Sequence, residues 1–289
     1  MTPEDYAAFL RKAFDAYIDI HVLGTDAPTT RSYLPYGTVD LDAIKWHGLG
    51  GLLVKDELRE LTNNLNAWLS ALRSWQVWLL VCDRYSKDEQ WELEHAFITP
   101  VATYCLFQPS AIRDTFTFVV TNGIHQVLLA VDSTYKDRLP LDRAPWEPPT
   151  YPSRRRKEKQ LESIVNRWSE GHQFLQNLCC LDDKATRNAT YDFRNRASHG
   201  IAPRFSLGMT HAVTRAITQA TRLEDRGDGM FHDVPVPGAQ AVSYSYGGMQ
   251  PLDLKRVLET NMEQFELAAA CFDNYVSMLK AASSGAISK

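Results

Sequence analysis

Within the run Asp192-Phe193-Arg194-Asn195-Arg196-Ala197-Ser198-His199-Gly200, an arginine and a histidine stand five positions apart at the end of a predicted helix. A guanidinium grips phosphate through its planar fork of N–H donors, and an imidazole exchanges a proton near neutral pH. Together they are the minimum apparatus for cutting RNA without a metal. Arg followed four to six residues later by His occurs three times in the chain. Arg226 and His232 lie among Gly227, Gly229, Pro235, Pro237 and Gly238, where no continuous helix fixes a geometry. Arg167 and His172 fall on predicted helix, but His172 joins the apolar row Ile164, Trp168, His172, Leu175, Cys179 and reads as core. Only Arg194 with His199 has a polar helical setting.

The α-helical step defines that setting. With Arg194 at zero, Arg187 falls at about 20°, Ser198 at about 40°, Tyr191 at about 60°, Asn195 at about 100°, Asn188 at about 120° and His199 at about 140°. One polar arc holds all seven. Ala189, Phe193 and Ala197 form an opposite row, small enough to sit close against a neighbour. Asp182 or Asp183 is the expected N-cap and Gly200 the expected residue past the C-terminus. His199 then lies in the last turn, where the helix dipole favours its protonated form.

Arg194, Asn195, His199 and the trailing Gly200 resemble the signature of the HEPN domains, which is Arg, a polar residue, then His four to six positions after the Arg. The resemblance implies a helical bundle that dimerises about a two-fold axis, so that Arg and His of both protomers face one composite cleft. It also implies metal-independent endoribonuclease activity in a toxin–antitoxin, abortive-infection or other defence system, with RNA as substrate and a nucleotidyltransferase-like antitoxin as restraint. No cofactor and no metal are expected. In such a site His199 would take the proton from a ribose 2′-hydroxyl, whose oxygen attacks the adjacent phosphorus and leaves a 2′,3′-cyclic phosphate. Arg194 would stabilise charge on the phosphorane oxygens, Asn195 would orient the imidazole or a phosphate oxygen, and Ser198, Tyr191, Arg187 and Asn188 would be secondary contacts. The alternative use of the same residues is structural. Arg194 would bridge a carboxylate on a neighbouring helix, in a non-catalytic HEPN-like scaffold or a nucleotide- or RNA-binding subunit of a defence complex.

With 289 residues, 44% hydrophobic and 23% charged, the chain can bury a sizeable core, and it is expected to form one domain over 1–289. A net charge of −4 gives no global basic field, so any RNA contact must come from a local patch. That patch is Arg154-Arg155-Arg156-Lys157. It reads either as a solvated first helical turn or as an RNA-backbone contact, and positive charge at a helix N-terminus opposes the dipole. The five cysteines show no paired C-x-x-C spacing and read mostly as core thiols in a reducing compartment. No stretch approaches a membrane span and the N-terminus lacks a leader pattern, so a cytoplasmic protein without a membrane partner is expected. The remaining histidines lack a repeating carboxylate or Cys partner and read as core or surface residues.

The elements that must position the motif are predicted to be mostly helical. The expectation is an all-α bundle of long antiparallel helices with a small β-hairpin inserted before the C-terminal helix. Thr2 and Asp5 open a helix whose apolar face is Tyr6, Leu10, Ala13, Phe14, Tyr17 and Ile18. Leu58, Leu61, Leu65, Trp68, Leu72, Trp75, Leu79 and Cys82 alternate three and four apart, a pattern that asks for a helix alongside. A third helix is predicted over 87–107, kinked near Pro100, and a fourth is capped by Ser110. Prolines make 133–152 an extended connection. Alternating pieces Ala212–Thr218 and Ala239–Tyr246 predict a hairpin within 209–246. Leu254 to Leu279 marks a final amphipathic helix, and 280–289 is predicted to fray.

Overall fold

The computed structural model describes residues 2–23, 31–144, 146–148 and 150–284. The chain divides into two compact units, Met1–Arg194 with Leu254–Lys289 and Asn195–Asp253. Helix is the main element, and the only sheet among the described residues is a two-stranded antiparallel hairpin before the last helix. That hairpin is too long for an all-α description.

In the first unit, α1 (Pro3–Leu23) opens on the predicted capping box, with the Asp5 amide donating to Thr2 Oγ1 at 3.2 Å. The long α2 (Gly50–Cys82) buries its whole three-four row. It packs on α4 (Thr99–Val131) and on α9 (Leu254–Ser283), which also pack on each other. Trp68 shows how the core is closed: its ring meets Phe265 edge-on at 5.4 Å, and its indole N–H donates to Asn261 Oδ1 at 3.2 Å. Of the predicted α1 face, Ala13 is buried and Tyr17 stacks on Trp78, but Phe14 and Ile18 are exposed.

Between α2 and α4 the chain forms the short α3 (Lys87–Leu93) and a π-helical turn at Glu94–Ile98. This turn, rather than a kink at Pro100, is the irregularity. Pro100 occupies the first turn of α4, where its missing N–H is harmless. The helix then runs through Pro109 without a break, so Ser110 is a buried helix-interior residue and not a cap.

Residues 132–153 contain no helix or strand among those described, and Pro145 and Pro149 of the predicted connection lie outside them. α5 (Arg154–Val165) and α6 (Ser169–Cys180) follow as separate helices, α5 against α4 and α6 against α9. The break at 166–168 takes His172 off the expected core row. It is exposed, with its Nε2 2.8 Å from Gln176 Nε2. Cys82, Cys105 and Cys271 are buried as predicted, whereas Cys179 and Cys180 at the end of α6 are exposed. α9 continues to Ser283, past the predicted onset of fraying, and 285–289 lie outside the described residues.

The second unit holds β1 (Thr210–Asp225) and β2 (Phe231–Met249), joined by a turn with Gly227 and Gly229 at positive φ. Both strands exceed the predicted pieces. Pairing runs from Thr210↔Met249 to Gln219↔Gln240, shifts register, and resumes at Thr221↔Pro235. Pro237 and Gly238 fall in the shifted segment, so they interrupt the ladder without ending the hairpin.

Candidate active site

The predicted motif helix is two helices. α7 (Lys184–Ala189) is capped by Asp183, whose carboxylate accepts from the Thr186 amide at 2.8 Å. It ends in a Schellman closure. The Asp192 amide donates to the Arg187 carbonyl at 2.6 Å and the Tyr191 amide to the Asn188 carbonyl at 3.3 Å. The residue past the cap, usually glycine, is Tyr191 at φ 50°, followed by Asp192 at φ 53°. α8 (Phe193–His199) then starts afresh.

This break corrects the seven-residue arc. Arg187, Asn188 and Tyr191 precede the reversal, so the 100° step cannot carry them onto one face with the motif. Arg194, Asn195, Ser198 and His199 remain together on α8, and all four are exposed. Neither the Arg194 nor the His199 side chain has a hydrogen-bond or ion-pair partner among the described residues. The boundary between the two units falls between Arg194 and Asn195, inside this helix. Phe193 is the buried anchor at its start, its ring meeting Phe107 edge-on at 6.2 Å. Ala197, predicted on the packing side, is exposed.

The segment leading into α7 is held by an ion-pair cluster that sequence reasoning missed. Asp182, at φ 51°, donates its amide to Gln264 Oε1 at 2.7 Å, and Gln264 Nε2 donates to the Cys180 carbonyl at 3.2 Å. The largely buried Asp182 carboxylate accepts from both Arg154 and Arg187 at 2.9 Å. Burial alone would raise the Asp182 carboxyl, but the guanidiniums of Arg187 and Arg154 outweigh it and hold it below the usual carboxylate range. Arg154 also donates to Asp114 and to Ser110 Oγ. Beside it, Arg113 grips Glu158 through two nitrogens at 2.6 and 3.1 Å and donates to the Leu181 carbonyl at 2.7 Å.

Two of the predicted RNA contacts are therefore already engaged. Arg154 is an internal cross-link between α4, α5 and the segment before α7, and Arg187 is its second leg. Arg155 and Arg156 are exposed at the start of α5. The signal for this cluster was in the sequence as the pair Asp182-Asp183, one capping α7 and the other left to face the arginines.

Comparison with protein-family models, with curated proteins and with solved structures returns no match. The site rests on its own residues. Among those described, no group of three or more His, Cys, Asp or Glu is placed to hold a metal ion, and no helix is long and apolar enough to cross a membrane.

Proposed function

We propose that the chain is a metal-independent endoribonuclease of HEPN type, with His199 as the proton-transfer group and Arg194 as the phosphate-binding cation. The observation that carries this is their shared setting: one short helix, both side chains open to solvent, neither committed to an ion pair among the described residues. The contrast with Arg154 and Arg187 adds weight, because the neighbouring arginines that serve the fold are visibly paired. Asn195 and Ser198 on the same helix are candidate orienting groups.

One protomer supplies one Arg and one His, whereas cleavage by an acid and a base uses two proton-transfer groups. A two-fold homodimer would supply both. In this proposal the protein acts on RNA as a toxin or defence effector, restrained by an antitoxin. The decisive assay is incubation of purified protein with RNA in EDTA, followed by end-group analysis. We expect 2′,3′-cyclic phosphate ends, and a fall of about 10² to 10⁴ in rate for His199→Ala. Arg194→Ala should cut poorly as well. Absence of cutting by the dimeric wild-type chain would overturn the proposal, and His199→Ala losing assembly alone would favour a non-catalytic scaffold.

A further inference from the structure

The hairpin of the second unit has two unlike sides. Residues directly opposed in an antiparallel ladder share a side. One side of its lower half therefore carries His211, Val213, Arg215, Ile217 and Gln219 against Gly248, Tyr246, Tyr244, Val242 and Gln240. The other carries only small groups apart from Met249: Thr210, Ala212, Thr214, Ala216 and Thr218 against Met249, Gly247, Ser245, Ser243 and Ala241. The large side is uncovered, with Tyr244 at 67% and Tyr246 at 90% exposure, and Val213 and Ile217 both at 63%.

An isolated two-stranded hairpin is marginal in water, and an aromatic-aliphatic side this open is the kind of patch that marks interaction sites. Its charge decides between occupants. Between Thr210 and Gln219 and between Gln240 and Met249 there is no Asp or Glu, and Arg215, in the central row opposite Tyr244, has no ion pair among the described residues. A second copy stacked on this patch with the two-fold axis through its central row would bring Arg215 onto Arg215. The occupant that fits must bring anions and flat apolar rings together. Tyr244 and Tyr246 are two residues apart on one strand, a separation of about 6.8 Å, twice the stacking distance of about 3.4 Å. That leaves room for one base between two rings. Beyond the register shift four carboxylates, Glu224, Asp225, Asp228 and Asp233, outnumber Arg222 and Arg226, which favours the lower half for an anionic strand. That half is about 30 Å long, the scale of the shortest single-strand sites, about four nucleotides.

We infer that this side of the hairpin binds single-stranded RNA, with bases stacked on Tyr244 and Tyr246 and a phosphate on Arg215. The choice of RNA over DNA rests on the proposed function, while binding at this side does not require that the chain cut the strand. The test is fluorescence anisotropy at low salt on the full chain carrying His199→Ala, with an unstructured labelled RNA dodecamer, its DNA counterpart and an RNA duplex. We expect the single-stranded RNA to bind and the duplex to bind at least tenfold more weakly. Tyr244→Ala and Tyr246→Ala should each weaken binding about tenfold, whereas Tyr→Phe at either site should not. Arg215→Ala should lower the slope of log K against log salt by about 0.7, and Ser243→Ala on the opposite side should change nothing. Equal binding by a Tyr244→Ala/Tyr246→Ala double variant would overturn the inference. So would no binding by the parent, tighter binding to DNA than to RNA, or a double variant that altered only the oligomeric state. Cutting by the wild-type chain is scored separately, so either proposal can fail alone.

Discussion

The amide of Asp192 reaches back to the carbonyl of Arg187 at 2.6 Å, closing α7 around a left-handed Tyr191. The start of α8 takes its direction from that reversal. A tyrosine and an aspartate occupy a conformation in which a Cβ costs roughly 1–2 kcal/mol. They are held there by the two closing hydrogen bonds and by the buried Phe193 immediately after.

Tyr191→Gly should therefore leave stability unchanged or raise it by up to about 1 kcal/mol, since glycine enters this region freely but is more flexible unfolded. Tyr191→Val should lower it by about 1–2 kcal/mol, because a β-branched residue is the worst occupant. Urea denaturation followed by circular dichroism separates the two. Equal midpoints would show that the left-handed turn carries no strain.

Asp182 is the hub that ties Arg154 and Arg187 to the start of α7. Its side chain is only 13% exposed, whereas that of Arg187 is 47% exposed. Asp182→Ala should destabilise by about 2 kcal/mol, because it removes the buried carboxylate shared by two guanidiniums, while Arg154 keeps Asp114 and Ser110 as partners. Arg187→Ala should cost no more than about 1 kcal/mol. Equilibrium unfolding of the two variants gives the comparison, and similar losses would contradict the unequal burial.

Acid should unfold the protein through its depressed carboxylates. Asp182 is held low by its guanidiniums, and Asp132 is lowered to about 2, first by the Thr134 hydroxyl and amide and then by Arg167. Their stabilisation is complete above the unfolded Asp value of about 3.9 and is lost as pH falls through the folded values. Glu57 runs the other way. Burial raises its carboxyl despite the Asn122 hydrogen bond, so its contribution is complete below the ordinary Glu value and fades as pH rises through the folded one. Denaturant midpoints from pH 2 to pH 7 should thus rise steeply at first, and the rise should be shallower in Asp182→Asn.

Gly123 on α4 faces Tyr275 on α9 so closely that a Cβ there would lie 2.0 Å from the phenolic oxygen. That oxygen is buried and has no hydrogen-bond partner among the described residues. Gly123→Ala should destabilise by about 1–3 kcal/mol, although alanine is the better helix former. Tyr275→Phe should be neutral or stabilising and should rescue much of the Gly123→Ala defect. A double-mutant cycle by thermal melting measures the coupling, and additive effects would place the strain elsewhere.

The long helices were legible because their periodicity is strong and their burial uniform, as in Leu58 to Cys82 and Leu254 to Leu279. What escaped were features decided by tertiary contacts. His172 reads as core because nothing local announces the break after Val165. Ser110 reads as a cap after Pro109, yet tertiary packing carries α4 straight through. The reversal at Tyr191 was invisible because its usual marker, a glycine, is missing. Arg154 looked like surface charge because its partners, Asp114 and Asp182, lie 40 and 28 positions away. Of the motif, Arg194, Asn195, Ser198 and His199 keep their helical setting, while the outer contacts Arg187, Asn188 and Tyr191 do not share it.

The π-helical turn at Glu94–Ile98 spends an extra residue on one turn, and Phe97 within it lies flat on Trp78 at 4.0 Å. Removing a single residue between Glu94 and Ile98 would restore ordinary α geometry and swing α3 by about 100° about the helix axis. Leu93, now buried, and Trp91, now exposed, would each turn about 100° away from their present surroundings, so this short stretch sets the phase of α3 against α4.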